Sequence, residues 1–367
     1  GSARLAVGIK EGDGYDGSGK EGEVALFTFT DGASKDFTGG RLAAMIGESY
    51  DNSYDGSANP RGGKDIDFPT AEADYLGTDL ALDYDSSIGE DGVHRLAVAA
   101  RQDDGEGGDD SNNGAAYLFT FTDDDFSGGQ HVATIGADYI PELTVADASN
   151  ALTAGRVITG GTSGATGVVV AGAVDGDSND DSVTYTLTTG NFVDGETITE
   201  ATSGYTRTVS EVLHDYTSFL PGETITEATS SYTRTIGSTN GSVKEHFNLD
   251  LDDAQEANGL VDVALDGNYL ALGNYLNDGA SGVEQRTGKV YLFSFNTLTY
   301  TDASDNLQNS VRGLVLEGTL GHGFTGAQDV SVLSETTNGV LQNSDFFGRG
   351  ISLDNNRLVV GATQGRG

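Results

Sequence analysis

The sequence predicts an all-β protein made of repeated four-stranded, blade-like sheets in a β-propeller-like arrangement, with a small β-module inserted among them. Three observations support this fold class. A series of short motifs recurs along the chain, its apolar segments have the length and alternation of strands, and one segment interrupts the series with a Thr-, Val- and Gly-rich composition. The 54 glycines suit the tight turns that join many short strands.

The repeat period follows from two anchor positions. A leucine in one strand recurs at separations of 91, 174 and 88 residues, and a phenylalanine in a later strand recurs at 92 and 174. The period is therefore about 90 residues, and the doubled gap holds an insertion of roughly 85 residues. The anchors are Leu5, Leu96, Leu270 and Leu358, with Phe27, Phe119 and Phe293.

Each unit is predicted to contain four strands. The first covers residues 77–83, 261–266 or 347–354, and the fourth ends at an Ile-Gly or Leu-Gly pair. Between them lie an RLAV-type strand and an aromatic YLFTFT-type strand. In the third strand of the second unit both alternating faces are apolar or aromatic, which is typical of a sheet that is covered on both sides. Four-stranded units of this kind stack as propeller blades or as an extended array.

The repeat and its interruption divide the chain into three parts. Residues 1–139 hold a partial first unit and a complete second unit, and residues 245–367 hold a complete third unit and a partial fourth. Residues 140–244 form the insertion, for which we expect a small β-sandwich or β-roll. Inside it, residues 195–209 recur as residues 222–236, which predicts two consecutive hairpins. Because both ends fall within a unit, we expect a processed product or a segment of a longer protein.

Composition restricts the possible partners. A formal charge of −38 argues against nucleic acid and against anionic membranes, both of which are bound through basic clusters. The chain has no cysteine, so neither a disulfide nor a thiolate metal site is available. It also lacks a run of 18 apolar residues, which predicts no membrane insertion.

Calcium is the one cofactor for which the sequence offers candidates. Carboxylates at closely spaced positions of a turn supply the oxygen ligands that a hard cation needs. Asp and Gly are also what exposed turns prefer, so solvated acidic loops are the alternative. The candidates are Asp175, Asp177, Asp180 and Asp181 in the insertion, and Asp103, Asp104 and Asp109 in the second unit.

Catalytic motifs are absent from the sequence, which predicts a protein that is not an enzyme. The five histidines are widely separated, and no GxSxG, HExxH or P-loop motif occurs. Repeated Tyr-Thr-Arg triplets in the insertion are candidates for contact with a partner, or simply the two faces of alternating strands. Their candidate residues are Tyr205, Arg207, Tyr232 and Arg234.

Residues 345–362, DFFGRGISLDNNRLVVGA, resemble the FG-GAP repeat. The continuation GxVYLFxFTD…FSGG…IG is similar to the bacterial variant found in large secreted surface proteins and adhesins. The Phe-Gly pair is intact at Phe347-Gly348, reads Leu76-Gly77 in the second unit and is lost near Gly259 in the third. The resemblance implies a propeller-like fold and an extracellular, adhesive or structural role. Some family members carry calcium in DxDxDG loops, which the short LDNNRL connection here does not reproduce.

Two functions are in keeping with these features. The first is an extracellular structural or adhesive protein that forms a filament or layer, because unpaired edge strands are templates for another chain. Its partner is then either another copy of itself or the neighbouring repeats of a longer chain. The second is a closed propeller that binds a glycan or receptor, as in a phage tail fibre or virion, since the insertion resembles Gly- and Thr-rich phage modules. The predicted assembly strands contain Arg4, Leu5 and Val7 at one end, and Arg357, Leu358 and Val360 at the other.

Overall fold

The computed structural model describes most of the chain, and every regular element in that part is a β-strand. None of its segments is a helix long and apolar enough to cross a membrane. The described residues are 3–15, 19–29, 38–50, 61–68, 74–85, 92–104, 112–136, 142–145, 152–161, 166–172, 181–189, 197–201, 206–213, 224–226, 233–235, 245–249, 260–280, 286–301, 307–324, 326, 329–331, 341–354 and 357–365.

Four antiparallel sheets follow the predicted repeat, and we call them units 1 to 4. Unit 1 contains β1 (Ala3–Ile9), β2 (Glu23–Phe29), β3 (Gly40–Gly47) and β4 (Ile66–Asp67). Unit 2 contains β5 (Leu76–Asp85), β6 (Val93–Ala100), β7 (Ala115–Phe121) and β8 (Gln130–Gly136). Unit 3 contains β18 (Asp262–Asp266), β19 (Tyr269–Asn274), β20 (Lys289–Thr301), β21 (Leu307–Gly321) and β22 (Val330–Ser331), and unit 4 contains β23 (Phe347–Asp354) and β24 (Arg357–Ala362). The predicted order of four antiparallel strands is confirmed in units 2 and 3.

A fifth, parallel strand at the outer edge of the unit was not predicted. In unit 1, β4 pairs with β3 so that Asp67 lies opposite Gly47. In unit 3, β22 pairs with β21 so that Ser331 lies opposite Gly321. In unit 2 the same place is taken by β17 (Glu245–Asn248), which pairs in parallel with β8. The insertion therefore lies inside unit 2, between its fourth strand and its fifth.

The insertion forms a closed antiparallel barrel, which corrects the expected sandwich or roll. Its strands are β9 (Glu142–Val145), β10 (Val157–Gly160), β11 (Thr166–Gly172), β12 (Asp181–Thr189), β13 (Thr197–Glu200) and β14 (Thr206–Leu213). They pair in the cyclic order β10-β11-β12-β9-β14-β13, and the ring closes where β13 pairs with β10. Ile158, Val169, Val183 and Ile198 are buried.

The duplicated segment of the insertion forms the two predicted hairpins. The first is β13–β14, in which Ile198 lies opposite Arg207. The second joins β15 (Thr224–Thr226) to β16 (Thr233–Thr235), with Ile225 opposite Arg234. The two hairpins share one register at an offset of 27 residues, but only the first belongs to the barrel.

The four units stack on one another in chain order. Strand β5 contacts β1 and β18, and β18 contacts β23. An apolar layer fills each of the three gaps between neighbouring units. In β7, Tyr117 and Phe119 belong to the layer shared with unit 1, whereas Ala116 and Leu118 belong to the layer shared with unit 3. The prediction that both faces of this strand are buried is therefore confirmed.

Candidate functional site: the stacking faces between units

Each unit has a back face toward the preceding unit and a forward face toward the next. On the back face the second strand carries large apolar side chains, such as Leu96 and Val98 in unit 2, which are fully buried against unit 1. On the forward face the same strand carries small ones, such as Ala97 and Ala99, which pack against unit 3. The equivalent residues of unit 3 are Leu270 and Leu272 on the back face and Ala271 on the forward face. Stacking therefore has a direction, because large residues of one unit lie on small residues of the unit before it.

A recurring glycine brings the backbones of neighbouring units together. It immediately precedes the third strand and has a positive φ, +85° at Gly22, +80° at Gly114 and +89° at Gly288. A Cβ added to Gly22 would lie 2.3 Å from the backbone N and O of Leu76 in the next unit. A Cβ on Gly288 would lie 1.9 Å from the carbonyl oxygen of Phe347. Glycine is required at these positions both by the left-handed backbone and by the neighbouring chain.

A second glycine contact involves the Phe347-Gly348 pair and its counterpart Leu76-Gly77. The ideal Cβ of Gly8 in β1 lies 1.9 Å from the carbonyl oxygen of Gly77, and that of Gly273 in β19 lies 2.1 Å from that of Gly348. Gly77 and Gly348 also have positive φ, and the pairing register shifts there. The strand of unit 2 has Ala99 at the equivalent position, and β18 of unit 3, which faces it, runs without such a shift. The interface between units 2 and 3 thus lacks this glycine contact on both of its sides.

Arginine at the start of the second strand links one unit to the next. The buried guanidinium of Arg95 donates from Nη2 to Asp83 Oδ2 at 2.6 Å within unit 2. From Nη1 it donates to Thr297 Oγ1 at 2.9 Å and to Asn268 Oδ1 at 3.3 Å, both in unit 3. It also lies 5.8 Å from the ring centroid of Phe295. Arg95 therefore acts as a buried polar clamp between the two units.

Arg4 occupies the equivalent position in unit 1 and reaches unit 2. Its Nη1 hydrogen-bonds to Nδ1 of His94, and its guanidinium lies 5.7 Å from the ring of Tyr84 and 5.9 Å from that of Phe126. Burial, followed by the positive charge of Arg4, lowers the pKa of His94 to about 4. The imidazole is therefore neutral at pH 7 and accepts the hydrogen bond from Arg4.

Two further polar contacts cross the interfaces. Asp125 of unit 2 accepts from Lys64 and Arg41 of unit 1, and these hydrogen bonds outweigh the effect of burial and lower the pKa of Asp125. Between units 2 and 3, Thr120 Oγ1 donates to the carbonyl of Asn309 at 2.8 Å, and Asn309 Nδ2 donates to the carbonyl of Phe121 at 3.0 Å. Asn309 reaches this place because β20 and β21 continue beyond the repeat pattern as a long hairpin.

Equivalent carboxylates on the first strands form another contact between units. Oδ2 of Asp79 in β5 accepts a hydrogen bond from the backbone N–H of Val263 in β18 at 2.8 Å. Asp262 in β18 accepts one from the backbone N–H of Gly350 in β23, while its buried Oδ2 has no hydrogen-bond partner among the described residues. Burial raises the pKa of both groups, that of Asp262 to about 6, and the charge of Asp79 adds to the shift at Asp262.

These shifts predict that Asp262→Asn stabilises the protein at neutral pH. A carboxyl whose pKa rises from 3.8 to about 6 on folding binds a proton more readily in the folded state, so it destabilises the fold above pH 6. After allowance for solvent screening, the gain at pH 7.5 should be on the order of 1–2 kcal/mol, and it should vanish as the pH falls toward 4. Urea denaturation at several pH values measures this difference between variant and wild type.

The stability of Asp262→Asn must be compared with that of wild type at each pH, because His94 contributes a pH dependence opposite to that of Asp262. The contribution of a histidine with a lowered pKa to folding stability is lost as the pH falls from 6.5 through 4. Over the same pH range the destabilising effect of Asp262 disappears, so the two effects partly cancel in wild type. The exposed Glu11→Gln serves as the control and should give a difference near zero at every pH. A stability difference for Asp262→Asn that does not change with pH would contradict the prediction.

In the described part of the predicted calcium loop, the aspartate carboxylates accept hydrogen bonds from groups of the protein itself. Asp103 is buried and accepts from the hydroxyl of Tyr117, and Oδ1 of Asp104 accepts from the backbone N–H of Asn112 at 2.7 Å. Within the described residues, no group of three or more His, Asp or Glu side chains could hold a metal ion. Of the other candidates, Asp109, Asp175, Asp177 and Asp180 lie outside the described residues, and Asp181 is described only as part of the backbone of β12.

The structure describes only some of the predicted contact residues of the insertion. Arg207 is mostly buried in the barrel, where its Nη1 donates to the carbonyl of Thr206 at 2.8 Å. It is therefore not displayed as an exposed contact. Tyr205 and Tyr232 lie outside the described residues, and Arg234 is described by its backbone in β16.

The predicted assembly strands lie at the two ends of the stack. On the back face of unit 1, Leu5 is 46% exposed and Val7 39% exposed, although their equivalents Leu96 and Val98 are fully buried. On the forward face of unit 4, Val359 is 68% exposed. Both β1 and β24 form an edge of their sheets, as far as the described residues extend. The equivalent residues of the inner units are covered by a neighbouring unit.

The stacking residues that we did not single out from the sequence share one detectable signal. Each stands at a fixed place in the repeat: arginine one residue before the anchor leucine in units 1, 2 and 4, and aspartate near the start of the first strand in units 2 and 3. Those that the sequence did not single out are Arg95, Asp79 and Asp262, whereas Arg4 and Arg357 belong to the predicted assembly strands. No family model matches the chain, and no curated protein matches it in sequence.

Proposed function

We propose that this chain is a non-enzymatic structural or adhesive protein that functions outside the cell and assembles with copies of itself. The single observation that carries the proposal is directional stacking: at each of three successive interfaces, large apolar residues of one unit pack on small residues of the unit before it, and the equivalent faces of β1 and β24 are exposed. Terminal strands β1 and β24, with Arg4, Leu5, Val7, Arg357, Leu358 and Val360, supply the contact between chains. Head-to-tail contacts of this kind build filaments or layers when they do not close into a ring.

The units are, in this proposal, FG-GAP-like repeats in a propeller-like arrangement. The buried Phe347 and the left-handed Gly348 support this relation, because they contact Gly288 and Gly273 of the preceding unit. The high negative charge suits a soluble protein at a cell surface, where it repels other acidic molecules and attracts cations. Calcium bound by the acidic loops is part of the same proposal.

Recognition of a glycan or receptor is the second candidate function. It is favoured by the insertion, because six of its strands close into a barrel and none of these six pairs with a strand of the stacked sheets. Such an appendage can vary independently of the stack. A virion location belongs to this alternative.

Electron microscopy and sedimentation of the full chain, with and without a calcium chelator, test the main proposal. We expect filaments or layers whose amount grows with protein concentration, because weak head-to-tail contacts obey mass action. Loss of these assemblies when the chelator is added would show that calcium takes part in the contact between chains. Discrete monomers under all conditions would overturn self-assembly and direct attention to glycan binding.

A further inference from the structure

We infer that the interior of the insertion barrel binds an oxyanion through Arg207. The ligand is a carboxylate, sulfate or phosphate group, either free or carried by a larger molecule. This inference does not depend on the self-assembly proposed above, because it concerns the barrel, whose strands pair with none of the stacked sheets.

The register of β14 directs Arg207 into the barrel. Its neighbours Thr206 and Thr208 are exposed, whereas Arg207 is only 8% exposed. Arg207 lies opposite Ile198 of β13, which is fully buried and in turn lies opposite Gly160 of β10. Because side chains alternate between the two faces of a strand, Arg207 belongs to the same interior row as Ile198.

The guanidinium of Arg207 is buried without a full set of partners. Nη1 donates to the carbonyl oxygen of Thr206 at 2.8 Å, but the buried Nη2 has no hydrogen-bond partner among the described residues. In the described part of the chain, every ion pair is made by another arginine or by a lysine. A buried charge that lacks both a counter-ion and an acceptor destabilises a fold, and a bound oxyanion supplies both.

A second charged side chain inside the barrel does not satisfy Arg207. Glu200 is 1% exposed, and its Oε2 accepts a hydrogen bond from the backbone N–H of Thr153 at 3.0 Å. It lies opposite Ile158, one row of inward positions away from Arg207. The Nη2 donor of Arg207 is therefore left for a ligand.

Two inward positions of the barrel carry no side chain. Gly160 and Gly167 are buried, the first in the row of Arg207 and the second opposite Ile158 in the adjacent row. Glycine inside a strand marks a place where a ligand approaches the backbone closely, and here it leaves volume that side chains fill in other small barrels. The donors of a guanidinium suit the oxygens of a carboxylate, sulfate or phosphate group, which identifies the class of ligand.

Differential scanning calorimetry of the full chain tests the inference with sulfate, phosphate or acetate, each compared with chloride at equal ionic strength. Equal ionic strength is needed because any salt screens the charge of −38. We expect at least one oxyanion to raise the melting temperature of wild type but not that of Arg207→Leu. Without an oxyanion, Arg207→Leu should melt above wild type, because the substitution removes a buried charge that lacks a counter-ion.

Arg234→Leu is the matched control. Arg234 lies opposite Ile225 in the duplicated hairpin, as Arg207 lies opposite Ile198, but this hairpin is outside the barrel. The control should respond to the oxyanion as wild type does. Equal shifts in wild type and in both leucine variants would mean an adventitious ion only, and the absence of any shift in wild type would likewise overturn the inference.

Titration calorimetry adds a test that does not require Arg207→Leu to fold. Arg207→Lys keeps the charge but loses the forked donors, so the oxyanion should bind roughly tenfold more weakly or less. Unchanged affinity in this variant would contradict a site at Arg207. Tighter binding of a sulfated or uronic-acid oligosaccharide than of the free anion would show that the group is carried by a glycan, whereas equal or weaker binding would identify the free ion as the ligand.

Discussion

We expect Arg95→Ala to lower the free energy of unfolding by about 3–5 kcal/mol, the largest effect of any single side-chain truncation considered for this protein. Its guanidinium is fully buried and pairs with Asp83 on one side and with Thr297 of the next unit on the other. Truncation leaves a cavity between units 2 and 3 and leaves the Asp83 carboxylate, which is largely buried, without its cation. Urea denaturation measures this loss, because the midpoint and slope of the transition give the free energy of unfolding.

Arg41→Ala is the matched control, because it also removes an arginine that crosses an interface. Its ion pair with Asp125 is half exposed, so the loss should stay within about 1 kcal/mol. Arg95→Met keeps the apolar stem and separates packing from charge. A loss below about 1 kcal/mol for Arg95→Ala would show that the clamp does not hold the units together.

The repeat made most of the stack predictable from the sequence. Alternation of Ala116 and Leu118 with Tyr117 and Phe119 predicted a strand that is buried on both faces, and each face belongs to a different apolar layer. This signal is clear because side chains alternate between the two faces of a strand, so a period of two residues shows which side chains share a face.

Other elements had no local signal. Strand β4 has only two residues, and β17 is separated from its partner β8 by the whole insertion. Their pairing is set by the free edge of the sheet, which no local pattern in the sequence reveals. Barrel closure likewise depends on the pairing of β10 with β13, where Ile158 lies opposite Glu200, and alternating strands read the same in a sandwich, a roll or a barrel.

The polar stacking residues were hidden for a different reason. The chain has 57 acidic residues, so the shared repeat position of Asp79 and Asp262 does not show by itself that each carboxylate accepts a hydrogen bond from the backbone of the next unit. The unit-to-unit contact is fixed by tertiary structure. Arg95 could have been recognised together with the predicted Arg4 and Arg357, because a basic residue that recurs at one strand position of so acidic a chain indicates a contact.

Gly288→Ala is expected to have the second large effect, a loss of at least about 3 kcal/mol. Alanine at φ +89° costs about 1–2 kcal/mol in backbone strain alone. The added Cβ would also lie 1.9 Å from the carbonyl oxygen of Phe347, so unit 4 must move away from unit 3. This displacement would break the hydrogen bond from the Phe347 N–H to the Thr287 carbonyl, 2.9 Å long in the native fold.

Gly267→Ala provides the control that isolates the contact between units. Gly267 also has a positive φ, +54°, but no atom of the described residues lies within 4 Å of its added Cβ, so this variant should lose only about 1 kcal/mol to backbone strain. Hydrogen exchange gives the more specific readout: protection of the Phe347 amide should fall in Gly288→Ala and persist in Gly267→Ala. Equal losses in the two variants would mean that the glycine is needed for the turn alone. A larger loss of protection in Gly288→Ala, confined to β23 and β24, would show that the close approach of the two backbones holds unit 4 on the stack.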